Sequence, residues 1–261
     1  MRTSPVWNPE QYNKYADERG RPFADLVARV RAEQPGLVVD LGCGPGNLTA
    51  TLVHRWPGAT VLGVDSSPEM IEEARPLATE QLSFEVGDLR QWSAEPGSVD
   101  VIVTNATLQW IPEQLDLLPG FVRALAPGGW LAIQIPGNGN APSHAILREL
   151  AATDPYAEYA KDKSLRPDVP GPAEYVAALT AEGCTVDAWE TTYSHVLQGK
   201  NAILEWVKGT GARPVLQSLP DDLRERFEAE YGARLNDAYP PKPFGTVLPF
   251  RRIFAVARKD S

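Results

Sequence analysis

The stretch of this 261-residue chain best suited to chemistry is Val38-Val39-Asp40-Leu41-Gly42-Cys43-Gly44-Pro45-Gly46-Asn47, where an apolar run passes into three glycines spaced two apart. The run reads as a buried strand and the glycines as a loop opening a helix. Gly42, Gly44 and Gly46 free the backbone to take positive φ and to approach a ligand with no side chain in between. The spacing is G-x-G-x-G, whereas a dinucleotide fingerprint needs G-x-G-x-x-G to seat a pyrophosphate on the helix N-terminus. It therefore argues against a pyrophosphate ligand.

Polar residues follow at the ends of the next strand-like runs. Asp65 closes the run Thr60 to Val64, where a carboxylate accepts hydrogen bonds from both hydroxyls of a ribose. Asp88, in Val86-Gly87-Asp88-Leu89, follows the third run and can accept from an adenine amino group, and Asn105 follows the fourth. Taken singly, Asp65 and Asp88 read as helix caps or turn residues. Taken together, four successive strand ends carry small or polar residues where open α/β sheets bind ligands.

These residues need a scaffold, and the pattern around them supplies one. Short β-branched runs at Leu37 to Leu41, Thr60 to Val64, Leu82 to Val86, Val99 to Thr104 and Trp130 to Ile135 alternate with helical stretches, as in βαβ units of a parallel sheet. One helix carries Leu48, Leu52 and Trp56 in an i, i+4 row, one opens at Ser67-Pro68-Glu69, and one carries Leu115, Leu118, Val122 and Leu125. Right-handed crossovers then place helices on both faces. An earlier helix is expected to start at Asn8-Pro9, with Gln11 completing a capping box and Tyr12, Tyr15 and Arg19 at helical spacing.

Beyond Pro136 we expect a helix from His144 to Ala152, a Pro-rich loop from Arg166 to Pro172, a helix from Ala173 to Glu182 and a strand from Thr185 to Ser194. Helices from Gly199 to Tyr239 precede a final strand, Ile253 to Ala257. The expected organisation is one domain over 1–261: a helical cap segment at 1–30, a cofactor-binding core at 31–136, a substrate-side core at 137–198, a helical cap insertion at 199–249, and the last strand and tail at 250–261.

Composition narrows the partners. With 34 acidic against 25 basic residues the formal charge is -9, which repels a phosphate backbone, so nucleic acid is excluded. No apolar run near the start or elsewhere is long enough for a signal peptide or a membrane span, so a cytoplasmic protein is expected. Cys43 and Cys184 form no metal knuckle or disulfide framework, and His54, His144 and His195 lack zinc spacing. Nothing in the sequence specifies an oligomeric state.

The chain resembles the class I S-adenosylmethionine-dependent methyltransferases in Asp40-Leu41-Gly42-Cys43-Gly44-Pro45-Gly46, Asp65, Gly87-Asp88 and Leu125-Ala126-Pro127-Gly128-Gly129. A closer resemblance, to the trans-aconitate methyltransferase family, extends over almost the whole chain. It is carried by Trp7-Asn8-Pro9, Arg19, Arg21-Pro22, Asp65-Ser66-Ser67-Pro68-Glu69-Met70, Asn105-Ala106-Thr107-Leu108-Gln109-Trp110, Gln134-Ile135-Pro136-Gly137-Asn138, Trp189-Glu190-Thr191-Thr192-Tyr193 and Phe250-Arg251-Arg252-Ile253-Phe254. The resemblance implies a doubly wound, Rossmann-like α/β sheet with a helical cap, S-adenosylmethionine as cofactor, and a small polycarboxylate substrate converted to its monomethyl ester. It also implies roles. Asp40, Gly42, Gly44 and Gly46 would line the methionine part, Asp65 with Ser66 the ribose, and Asp88, the Leu89 amide and Met70 the adenine; Tyr12 and Arg21 would close over the cofactor, with Asn105 near its amino acid end.

Esterifying a carboxylate asks little of acid–base groups. Such a nucleophile, with a pKa near 4, is ionised at neutral pH and needs no general base, so we expect catalysis by positioning and name no catalytic residue. A polycarboxylate does need local positive charge in an acidic protein. From Ala238 through Lys259 there is no Asp or Glu, while Lys242, Arg251, Arg252, Arg258 and Lys259 are cationic, and Arg213 lies upstream. Adjacent strand residues face opposite ways, so Arg251 and Arg252 are not expected to reach one ligand together. Candidate substrate contacts are Trp110, Tyr193, Arg213, Tyr239, Arg251 and Arg252, with His195 better read as structural. The alternatives are methylation of another small acid or nucleophile, and a non-catalytic cofactor-binding partner protein. A nicotinamide oxidoreductase is disfavoured by the glycine spacing and by the lack of a well-placed Y-x-x-x-K pair.

Overall fold

The computed structural model describes residues 16–160, 163 and 169–260, and the expected helix start at Asn8 lies outside these residues. The chain divides into two compact units, one of Asp17–Pro136, Val169–Thr191 and Arg252–Ser261, the other including Gly137–Asp168 and Thr192–Arg251.

In order, the elements are α1 (Ala16–Val27), β1 (Leu37–Leu41), α2 (Thr49–Arg55), β2 (Thr60–Asp65), α3 (Pro68–Ala74), β3 (Leu82–Val86), β4 (Val99–Asn105), α4 (Leu118–Ala124), β5 (Leu125–Pro136), α5 (Pro142–Ala151), α6 (Ala157–Ala160), α7 (Pro172–Ala181), β6 (Cys184–Leu197), α8 (Ala202–Lys208), α9 (Arg213–Ser218), α10 (Asp221–Ala238) and β7 (Thr246–Lys259). The seven strands form one sheet in the order β3-β2-β1-β4-β5-β7-β6. β1 to β5 pair in parallel, and β7 runs antiparallel to β5. Strand order reverses between β1 and β4. Right-handed crossovers on the two sides of that reversal put α2 and α4 on opposite faces and open a crevice at the carboxyl ends of β1 and β4.

Period-2 alternation sorts the side chains. Val39, Leu41, Ile102, Leu131, Ile133, Ile135, Ala255 and Ala257 share one buried cluster with Leu118, Phe121 and Val122 of α4 and Tyr175 and Leu179 of α7. Elsewhere in this unit, Trp56, 2% exposed, donates from Nε1 to the Ala32 carbonyl at 2.9 Å and ties α2 to the chain after α1. The helical unit has a core of its own, in which Phe227, Tyr231 and Leu235 form the i, i+4 row of α10 and Phe227 meets Tyr156 edge-on at 4.9 Å.

Several element boundaries differ from expectation. The row from Leu115 to Leu125 is split: Gln114–Leu117 is a 3-10 turn, the helix starts with Pro119 in its first turn, and Leu125 already opens β5. β6 starts one residue earlier and ends three later than read, at Cys184 and Leu197. β7 starts seven residues early, at Thr246, and Pro249 lies outside its ladder with β5, which begins at Arg252.

The register of β1 depends on a side chain. Asp100 on β4 accepts from the Gly36 and Leu37 N–H groups at 2.7 and 2.9 Å, both through Oδ2. Asp100→Ala should therefore destabilise by about 1.5–3 kcal/mol, while Asp100→Asn, which keeps one acceptor, should stay within about 1 kcal/mol of the parent. Urea unfolding of both variants checks this; equal losses would show that the acceptor is immaterial.

Candidate functional site

The crevice at the reversal is built from the residues that follow β1, β2, β3 and β4. The Gly44 N–H donates to Asp65 Oδ2 and the Ser67 N–H to Asp65 Oδ1, each at 2.9 Å, so one half-buried carboxylate joins the glycine loop to the start of α3. Ser67 caps α3, its Oγ accepting from the Met70 N–H at 3.3 Å. Met70 is buried on that helix and Ser66 is exposed.

The three loop glycines have different reasons to be glycine. Gly44, at φ +56, has no atom within 4 Å of a notional Cβ, so it borders open space. Gly42, at φ +84, is packed against the turn after β4: a Cβ there would sit 2.2 Å from Thr107 Oγ1. Gly46 is closed off by the Phe84 ring. Of the three, Gly44 is the one with room for a ligand.

Asp40 is 3% exposed and accepts from Thr49 Oγ1 at 2.6 Å, which pins the strand before the loop to the helix after it. Burial pushes its pKa up to about 7; the Thr49 bond offsets part of that rise and the Asp65 charge adds to it. Cys43 is buried and its thiol is pushed up, chiefly by desolvation, so it offers no thiolate. Asp88 is gripped by Arg90, whose Nε donates to both carboxylate oxygens at 3.0 Å while the Arg90 N–H donates to Oδ1 at 3.0 Å. That grip holds the Asp88 carboxyl below the usual range, so it is an ionised acceptor. Leu89 beside it is buried.

After β4 the chain turns sharply. Asn105 is half-buried, its Oδ1 a buried acceptor without a hydrogen-bond partner, and Ala106 adopts φ +54. Thr107 Oγ1 donates to the carbonyls of Asn105 at 3.0 Å and Gly42 at 3.3 Å, and Trp110 ends the turn 40% exposed.

A nucleoside-bearing sulfonium amino acid fits this donor and acceptor set. Asp65 supplies acceptors for ribose hydroxyls and Gly44 open backbone.

Residues 38–129 match the family model for a methyltransferase domain. The chain is 52% identical over 256 residues to trans-aconitate 2-methyltransferase of Mycobacterium sp. strain KMS, covering 97% of this chain and 99% of that one. It is 50% identical over 267 residues to trans-aconitate 2-methyltransferase of Streptomyces avermitilis, covering 98% of each. The chain belongs to the trans-aconitate 2-methyltransferase family. Solved structures with the same fold include YcgJ of Bacillus subtilis, with TM-score 0.63, 16% identity and coverage of 92% of this chain and 99% of that one. Phosphoethanolamine N-methyltransferase 2 of Haemonchus contortus, solved with S-adenosyl-L-methionine, has TM-score 0.56, 18% identity and coverage of 92% of this chain and 53% of that one.

The remaining expected site residues of this family member are distributed as follows. Tyr12 lies outside the described residues. Arg21 sits on α1 with its side chain 70% exposed, 4.0 Å from Asp25. In the helical unit, Arg213 opens α9 half-buried, and desolvation lowers its pKa. Tyr193 is buried beside His195, and Tyr239 accepts from the Ser143 N–H at 3.1 Å, capping α5. Arg251 is half-buried, its N–H donating to Asn138 Oδ1 at 2.8 Å; Arg252, in the sheet unit, is 5% exposed. His195 stacks on Trp206 at 5.1 Å, in keeping with a structural reading.

Sequence reasoning passed over Thr49, Arg90, Thr107 and Gln109, each of which bonds a site residue or its neighbour. An Arg two residues after an expected acceptor was a usable signal for Arg90. It also passed over Gln134, fully buried next to Asn105 in the register, with neither end of its carboxamide bonded.

Asp40 should make stability pH-dependent. Its folded pKa lies above its unfolded value, so the folded state keeps a proton that the unfolded state releases; stability is highest below the unfolded pKa and is lost as pH rises from about 4 to about 7. A shift of this size corresponds to at most about 4 kcal/mol. Asp40→Asn removes the titration, so the stability of the parent relative to Asp40→Asn should fall between pH 4.5 and 7.5 in urea unfolding. A constant difference would refute the perturbed carboxyl.

Proposed function

We propose that this chain transfers the methyl group of S-adenosylmethionine to one carboxylate of trans-aconitate, releasing the monomethyl ester and S-adenosylhomocysteine. What carries the reading is the identity of about half of all residues, over essentially the whole length, to proteins named trans-aconitate 2-methyltransferase. The crevice residues support it, because their acceptors and open backbone suit that cofactor.

When bound, S-adenosylmethionine supplies an electrophilic methyl group on a sulfonium. Asp65 and Ser66 hold its ribose, Asp88, Leu89 and Met70 its adenine, and Gly42, Gly44, Gly46 and Asp40 shape the loop along its methionine part. Asn105 would lie near its amino acid end, and Arg21 would cover the bound cofactor. Arginine guanidinium groups suit the acid's carboxylates, and the candidates are Arg213 and one or other of Arg251 and Arg252. No residue takes a proton, because the attacking carboxylate is already ionised; the protein's task is to hold that oxygen in line with the carbon–sulfur bond. With a formal charge of -9 the chain as a whole repels an anionic acid, so the substrate depends on local arginine charge.

Methyl ester formation from trans-aconitate, cis-aconitate, citrate and isocitrate tests both substrate and mechanism. Trans-aconitate should be preferred by about tenfold or more, with kcat/KM varying less than about threefold from pH 6 to 9. A rise of about tenfold per pH unit would reveal a general base. Cofactor binding with no turnover of any of the four acids would remove the substrate assignment.

A further inference from the structure

The turn after β4 contains a strained residue held from both sides. Ala106 is one of two described non-glycine residues at positive φ, a region that an L residue with a Cβ avoids. Its N–H donates to the Gln134 carbonyl on β5 at 2.8 Å, and its own carbonyl accepts from Gln109 Nε2 at 2.6 Å. Gln109 is 6% exposed, and its Oε1 is buried without a hydrogen-bond partner. The single bond to Ala106 fixes the orientation of this amide, since the flipped form would set two oxygens against each other. A Leu or Met of similar volume would fill the same space without the desolvation cost of the unbonded oxygen. The observed reason for a glutamine is the grip on Ala106.

Ala106 directly follows Asn105 and precedes Thr107. Thr107 bonds the Asn105 and Gly42 carbonyls and fills the space a Cβ at Gly42 would need, so the direction of the chain through Ala106 sets how Thr107 meets the glycine loop. We propose that Gln109 is a positioning residue of the methyl-transfer site: by holding Ala106 in the left-handed turn it keeps Thr107 docked on Gly42 and so holds the glycine loop in its cofactor-binding shape. This rests on the cofactor reading above.

The test is a cycle of Gln109→Met, Ala106→Gly and the double variant, read by calorimetric binding of S-adenosylhomocysteine and by KM and kcat. Glycine takes positive φ unaided, so the grip matters only while residue 106 carries a side chain. In the parent background Gln109→Met should weaken S-adenosylhomocysteine binding and raise the KM for S-adenosylmethionine about tenfold, with kcat at saturation changed less than about threefold. In the Ala106→Gly background the same change should cost less than about threefold in binding. Unchanged binding in Gln109→Met, or an equal loss in both backgrounds, overturns the proposal. If Gln109→Met does not fold, Ala106→Val is compared with Ala106→Gly: about tenfold weaker binding for valine is expected, and equal binding overturns it. A wild-type protein that does not bind S-adenosylhomocysteine would defeat the cofactor reading and this proposal together; wild-type binding with an indifferent Gln109→Met would defeat only the proposal.

Discussion

The carboxylate of Asp65 is the fastening on which the crevice depends. It closes β2, yet both of its oxygens bond N–H groups elsewhere, one in the glycine loop and one at the start of α3. The loop between β1 and α2 has three positive-φ glycines, and of these Gly44 has no atom packed against it. A carboxylate accepting from backbone N–H groups at 2.9 Å restricts that loop and still leaves lone pairs on the crevice side, since each oxygen accepts more than one bond. The same group thus orders the loop and remains an acceptor.

Asp40 complements it from below. Buried and bonded to Thr49, it joins the two ends of the segment whose middle Asp65 holds. Burying a carboxyl there is unfavourable to its charge, and the proximity of Asp65 makes it more so. The protonated form relieves both terms while the Thr49 hydroxyl still has an oxygen to donate to.

Much of this was legible in the residue order, and the exceptions share a cause. The strands β1 to β4 could be placed because each is a short β-branched run ended by Gly, Asp or Asn, and α3 because Ser67-Pro68-Glu69 is a local capping signal. Asp65, Asp88 and Asn105 could be named because strand ends are fixed by the same pattern. Contacts that join distant segments left no such trace. That Gly42 is glycine partly to make room for Thr107, 65 residues away, follows only from the approach of two turns in space. The bond from Gln109 to Ala106 is local, but a Gln in an apolar-looking turn gives no sign of it unless the left-handed backbone is known. Boundaries moved where proline acts through its neighbours: Pro119 starts a helix, and Pro249 is tolerated outside the ladder with β5.

These fastenings suit the reaction. Displacement at a sulfonium carbon by an ionised carboxylate requires no proton transfer, so the rate depends on distance and alignment, and a misplacement of about 1 Å costs on the order of a hundredfold. The protein meets that demand with short links between neighbouring strand ends: Asp65 to Gly44, Asp40 to Thr49, Thr107 to Gly42, Gln109 to Ala106. Several carry a cost in the free protein, as a raised carboxyl pKa, a left-handed alanine or an unbonded amide oxygen. A site that worked by proton transfer would need titratable groups within reach of the ligand. Here the two groups pushed toward their neutral forms, Asp40 and Cys43, are buried, while Arg90 holds the Asp88 carboxyl ionised.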